Sequence, residues 1–208
     1  MFIRAKSEEN KKIRMQEIMD YADHLFKTHN YHEITLSMIS NEIGIGRTGL
    51  YKYVSSKEEI FLNIILEKQK KVMDEIVAEL KDKEATLHDF AQVTTEVLYN
   101  HIDLIKYFQI LTTILETNAS LDTLINFKTK CFLDSQEFHS VIKSITHFSD
   151  EKTFNFHLSI LHHATFLSDV AFPNKIYYEV MQAANLPAAK LDFKKELIHF
   201  IEIMGTHY

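Results

Sequence analysis

Arg47, Tyr51, Lys52, Tyr53 and Lys57 place cations and phenols close together in a short stretch, and no side chain from Ile43 to Lys57 is acidic. The chain as a whole carries a formal net charge of −6, so this stretch is a local island. An arginine so placed can donate two hydrogen bonds to O6 and N7 of guanine, or pair with a phosphate. Thr48 is short enough to meet a base edge, a thymine methyl or a phosphate. Tyr51, Lys52, Tyr53 and Lys57 are side-chain types that anchor to phosphate oxygens. Three of the four glycines, Gly44, Gly46 and Gly49, fall in the same stretch, where glycine permits a sharp turn and close approach of the backbone to a ligand. The chemistry indicated is recognition of duplex nucleic acid by a patch, since the overall charge offers no attraction.

The flanking sequence supplies elements that can hold such a patch. Thr35 is a good N-cap for a short helix that begins at Leu36. With Met38 three positions on, no capping box forms. Thr35, with Ser37 in the first turn, sits at a dipole-positive helix start able to hold a phosphate. Gly44 closes this helix, and a second short helix fits Arg47 to Tyr53. Two short helices joined by Gly44-Ile45 make a minimal helix-turn-helix, the second entering the major groove by its N-terminal residues. Upstream, Ile18, Ala22, Leu25 and Phe26 mark one apolar face of a helix starting near Asn10, with Asn30 suited to a left-handed C-terminal position. Residues 1–9 read as frayed. Arg4, Lys6, Lys11, Lys12 and Arg14 suit either an arm on DNA or a solvated terminus, because Glu8 and Glu9 lie among them. Downstream, Ser56-Lys-Glu-Glu59 reads as a capping box opening a long helix with Phe61, Ile65, Val72, Ile76 and Leu80 on its stripe.

The rest is all-α. Gly and Pro together number six in 208 residues, which favours long helices over sheets with tight turns. Helices fit 86–99, 102–117, 121–147, 151–171, 174–184 and 190–204, the last with Gly205 beyond its end. The polar Lys81-Asp-Lys-Glu84 follows the long helix. The reading head takes residues 1–55, and a larger helical domain for ligand binding and dimerisation takes 56–208.

Residues 11–62 resemble the tetracycline-repressor (TetR) family of bacterial regulators in order and spacing. The resemblance rests on the helix with Ala22 and Phe26, on Tyr31-His-Glu-Ile-Thr35, on Ile39-Ser-Asn-Glu-Ile-Gly-Ile45, on Leu50-Tyr-Lys-Tyr-Val54 and on Ser56-Lys-Glu-Glu-Ile60. Gly46 stands where the family commonly has Ser, Thr48-Gly49 where it has Gly-Thr, and Val54 where it has Phe. The resemblance implies an all-α homodimer with an N-terminal DNA-binding domain and a larger domain that often binds a small ligand.

The 151–171 helix carries two apolar faces, Phe154, Leu158 and Leu161 on one, Phe156, Ile160, His163, Leu167 and Val170 on the other. A helix apolar on two faces is buried on two sides. One side suits the core and the other a second copy, with 190–204 sharing the interface, as the resemblance also implies. Phe108, Thr112, Cys131 and Phe166 mix apolar bulk with small polar groups, as the walls of a small-molecule cavity do. Twelve histidines raise the question of metal, but His157 has Leu161 four residues on and His162 and His163 point apart, so no ligand set forms. No catalytic triad, P-loop or dinucleotide fingerprint appears at usable spacing, and no cofactor is implied.

The expected protein is therefore a cytoplasmic, ligand-released repressor, dimeric on a palindromic operator, with no membrane segment. The alternative is an architectural or cell-division DNA-binding protein of the same fold without an inducer.

Overall fold

The computed structural model describes residues 2–207, and side chains from Glu9 onward. Arg4 and Lys6 of the expected arm lie outside the described side chains. The described residues form twelve α-helices in order: α1 Phe2–Phe26, α2 Leu36–Glu42, α3 Arg47–Leu50, α4 Lys57–Leu80, α5 Leu87–Asn100, α6 Ile102–Ile110, α7 Glu116–Asn118, α8 Leu121–Asp134, α9 Gln136–Thr146, α10 Asp150–Ala171, α11 Lys175–Ala183 and α12 Phe193–His207. A 3₁₀ turn at Tyr31–Glu33 precedes α2, and a π-helical segment, Leu111–Leu115, follows α6. There is no strand among the described residues, and no helix is long and apolar enough to cross a membrane.

Two compact units form. One takes the chain up to Glu67 together with Ile110–Lys130, and the other takes Lys68–Gln109 together with the chain from Cys131 onward. A break after residue 55 would fall just ahead of α4. The packing instead groups Ile110–Lys130 with the N-terminal residues. In the N-terminal unit Ile18, Ala22, Ile39, Leu50, Ile60, Phe61 and Ile65 are fully buried. In the C-terminal unit the core gathers Val72, Ile76, Phe90, Phe138, Ile142, Phe156, Ile160 and Leu197, where α5, α9, α10 and α12 pack on one another.

Several boundaries depart from the sequence reading, each for a local reason. α1 begins at Phe2, eight residues before Asn10, because no glycine or proline interrupts 2–10 and its Ala, Arg, Lys and Glu favour helix without any apolar face. Asn30 is extended, at φ −69° and ψ 150°, and its N–H donates to Glu33 Oε2 at 2.7 Å. It therefore starts the 3₁₀ turn and does not end α1 in a left-handed position. The expected 121–147 helix breaks at Ser135, where the Ser135 hydroxyl and the Gln136 amide both donate to the Phe132 carbonyl, at 2.9 and 2.8 Å. Those side chains occupy the acceptor that continued helix would use. Gly205 lies inside α12, not after it. A Cβ there would stand 2.5 Å from Leu87 Cδ1, so the glycine permits α12 to close on α5.

Among the described residues four adopt positive φ: Gly44 at 67°, Asp82 at 63°, His147 at 58° and Asn185 at 54°.

Candidate functional site

The N-terminal unit is organised around Phe61. Its ring meets Phe26 edge-on at 5.4 Å and Tyr31 edge-on at 5.0 Å. The Tyr31 hydroxyl donates to Glu58 Oε1 at 2.7 Å. Burial, then the hydrogen bond to that carboxylate, push the phenol far above its ordinary pKa. Thr35 caps α2, its hydroxyl accepting the Met38 N–H at 3.2 Å. Gly44 turns the chain left-handed after α2, and α3 follows with Gly46 as an N-cap that has no side chain to offer. α3 is only one turn long. Beyond Leu50 the Lys52 and Tyr53 amides bond to carbonyls three residues back, at 3.3 and 2.9 Å, so the path tightens and residues 51–53 form turns. Ser56 caps α4 by accepting the Glu59 N–H at 3.2 Å. The Glu59 carboxylate closes that cap on the N–H and hydroxyl of Ser55, both at 2.6 Å, one residue earlier than the expected box.

This frame presents Thr35, Ser37, Arg47, Thr48, Tyr51 and Lys52 exposed, and Gly49 and Tyr53 half-buried. Arg47 and Tyr51 sit one turn apart. The Arg47 guanidinium donates to the Tyr51 hydroxyl at 3.2 Å and lies 5.8 Å from the centre of its ring. Glu58 and Glu59, which follow the run, are held by Tyr31 and by Ser55, while Glu42, just before it, is exposed at the end of α2. Lys11 and Lys12 are exposed, while Arg14 pairs with Glu17 and reaches the Ile43 carbonyl at 3.4 Å.

Lys57 has a different position from the rest. Its ammonium donates to the carbonyls of Tyr31 and Ile34, each at 2.8 Å, and stands 3.9 Å above the Tyr31 ring. Burial pulls its pKa below that of an ordinary lysine. The side chain ties the start of α4 to the segment that launches α2. Since hydrogen bonds from a charged donor contribute about 1.5–3 kcal/mol, Lys57→Met should lower the unfolding free energy by about 2 kcal/mol. Urea denaturation will check this, and a loss below about 0.5 kcal/mol would assign the lysine to the surface. The sequence cannot signal this role, because the acceptors are main-chain groups more than twenty residues away.

The C-terminal unit holds a cavity of about 670 Å³. It lies between α5, α6, the end of α10 and the start of α11, with Tyr99, Ile102, Phe172 and Tyr177 giving apolar wall and Lys106, Gln109 and Asp169 polar groups. None of the four expected wall residues lines it. Phe108 is half-buried against the core. Thr112 is exposed in the π segment, and Phe166 is 65% exposed on α10. Cys131 points its thiol at Gln69 Oε1, 3.8 Å away. Aromatic bulk at helical spacing did not separate core and outer face from cavity wall, and Phe172 to Tyr177 come from a helix junction that periodicity does not mark.

Two histidines meet inside the same unit. His139 Nε2 lies 2.9 Å from His157 Nδ1, and both are buried. Burial pushes both pKa values down, that of His157 to about 3. No group of three or more potential metal ligands forms among the described residues.

On α10, Phe156, Ile160 and Leu167 face the core, whereas Phe154 is 44% exposed and Leu158 and Leu161 are half-buried. The two faces read from sequence are thus an inner and an outer one. α12 shares the outer region, with Phe200 stacked on His163 at 3.9 Å.

Comparison with known proteins agrees with this architecture. A family model for bacterial regulatory proteins of the tetR family matches residues 18–64, and a model for the tetracyclin repressor-like C-terminal domain matches residues 66–206. None of the curated proteins matches the chain. Among solved structures, a transcriptional regulator of the TetR/AcrR family from Thermobifida fusca YX-ER1 is similar, with a TM-score of 0.55 and 15% identity, over 94% of this chain and 98% of that one. At that identity the likeness concerns the fold. The two family models meet within α4 and together span nearly the whole sequence, so this chain belongs to the TetR family of DNA-binding transcriptional regulators and is not an enzyme.

Proposed function

We propose that the protein is a ligand-released repressor that binds a palindromic operator as a homodimer. The observation that carries the DNA-contact assignment is the exposed Arg47, Thr48, Tyr51 and Lys52 on and after a short helix launched by a left-handed glycine turn. Arg47 reads a base edge from the N-terminal turn of α3, and Thr48 and the Gly49 backbone approach beside it. Tyr51, Lys52 and Tyr53 hold phosphates on one side, and Thr35 and Ser37 hold them on the other. Lys57 serves this surface from behind, by fixing the segment that carries Thr35.

Dimerisation through the outer faces of α10 and α12 accounts for apolar side chains left uncovered there, Phe154, Phe166 and Ile203 among them. Two heads must sit about 34–36 Å apart, or a multiple of that, to meet successive major grooves. The same helix, α4, contributes residues to both compact units. A ligand in the C-terminal cavity that prefers one head spacing over another shifts the population away from the operator-binding form, and only by its differential affinity. The cavity favours this reading over an architectural DNA binder without an inducer. The setting is the cytoplasm, where the operator is.

Arg47→Ala should cost about 1–3 kcal/mol on operator and much less on random duplex. Operator sequences selected from random DNA, followed by fluorescence anisotropy on both duplexes, provide the measurement. Equal loss on the two would remove Arg47 from base reading.

A further inference from the structure

The C-terminal cavity has one cation and one carboxylate in its walls, and their situations differ. Asp169 accepts a hydrogen bond from the Gln109 side-chain amide. Lys106 is exposed, one turn before Gln109 on α6, and makes no ion pair or hydrogen bond with any described residue. Two other lysines at this end of the unit are already paired: Lys194 with Glu96 at 2.6 Å, while covering the Tyr99 ring at 4.2 Å, and Lys175 with Glu179 at 3.3 Å. The apolar wall is largely aromatic, from Tyr99, Phe172 and Tyr177. Tyr99 and Phe172 already lie 6.2 Å apart, centre to centre. The volume lies within the usual range for small-molecule sites, about 300–1,000 Å³.

We infer that this cavity takes an aromatic acid: a flat apolar body against Tyr99, Phe172 and Tyr177, and a carboxylate on Lys106. This names the ligand class for the effector site of the preceding section and rests on that reading. The charge assignment follows from pairing. An acid gives Lys106 the anion it lacks, whereas a cation would have to share Asp169 with Gln109 and would face Lys106 unscreened. Asp169, an acceptor, prefers a hydroxyl or N–H on the body of the ligand over a second carboxylate. The outer wall is suited to respond. α11 has no buried side chain; the Tyr177 hydroxyl accepts the Ala189 N–H at 2.9 Å, and its ring meets only Tyr178, edge-on at 5.6 Å, among the described rings. An aromatic body against Tyr177 would cover part of this helix.

The test uses the full chain and fluorescent probes of one shape: 4-(1-pyrenyl)butyrate and its uncharged alcohol, 1-pyrenebutanol. The acid should bind one per chain, about tenfold tighter than the alcohol, as a charge-assisted hydrogen bond implies. Lys106→Met should abolish that preference while leaving alcohol binding unchanged, and Lys106→Glu should reverse it. Asp169→Asn should tighten the acid a few-fold. Lys106 is exposed, so matching melting curves will show that its variants remain folded. Equal affinity for acid and alcohol, a preference that survives Lys106→Met, or no saturable binding of either probe would overturn the assignment. Operator release is read separately, by anisotropy of labelled DNA. Lys106-dependent binding of the acid with operator affinity unchanged would support the site while removing release by occupation of this cavity.

Discussion

Lowering the pH from 7.5 to 5 should destabilise the C-terminal unit by about 2 kcal/mol through His157 alone, with His139 adding in the same direction. The pair is buried, and burial holds His157 at about 3 in the folded chain, against about 6.5 for an unfolded histidine. Between those values the unfolded chain binds the proton and the folded chain does not. The stability is therefore complete above about pH 6.5 and is lost as pH falls towards 3, by about 1.4 kcal/mol per unit. Geometry explains why relief is limited. One N–H of the pair fills the 2.9 Å gap between the two rings. A first added proton can sit on an outward nitrogen, but a second would set two N–H groups against each other. His139 also feels Lys143, which opposes protonation, and Asp150, which favours it. Those two pair with each other at 2.8 Å, so their effects partly cancel. Phe138 meets His157 edge-on at 4.9 Å and Phe154 meets His139 edge-on at 6.3 Å, and neither ring offers a charge. The measurement compares unfolding free energies at both pH values in the natural chain and in a His139→Leu, His157→Leu double variant. Removing both partners together avoids stranding one of them. The double variant should lose at least 2 kcal/mol less on acidification. Equal losses would mean that the other histidines set the acid response.

Phe61→Ala should cost about 3–5 kcal/mol, the range for removing a fully buried aromatic side chain. The ring is 0% exposed and joins three elements: α1 through Phe26, the 3₁₀ turn through Tyr31, and α4 itself. No DNA-contacting group is altered, yet operator binding should be lost near the growth temperature, because α2 and α3 are too short to persist alone. Phe61→Leu keeps most of the volume and should retain binding with a smaller loss of stability. Circular dichroism melts paired with anisotropy will decide. A Phe61→Ala chain that melts within a degree or two of the natural one would show that the head does not depend on this ring.

The head was legible because its signals are local. Thr35 caps its own helix, Gly44 needs its own backbone angle, and Ser56 caps α4, each within a few residues. What escaped the sequence was set at a distance or by competition. Lys57 reads as one more cation in a basic run until the carbonyls of Tyr31 and Ile34 are seen beside it. The Ser135 break is a contest between side chains and backbone for a single carbonyl, which periodicity does not register. Gly205 looks like a stop signal, yet it serves the approach of Leu87. The cavity is assembled from four elements, and only the fold brings Lys106 and Tyr177 to one space. His139 and His157 lie eighteen residues apart, on different helices, and meet through the packing of α9 on α10.

The positive φ angles have a consequence for how the chain tolerates change. Asp82, His147 and Asn185 follow the ends of α4, α9 and α11, and their side chains are among the few that accept this twist at modest cost. A glycine at any of the three would relax the junction, and a β-branched residue would oppose it. Gly44 alone already has the permissive residue. Mutational drift can thus loosen or tighten the ends of these three helices in small steps, while at the bend beside the reading helix almost every exchange runs in one direction, towards strain.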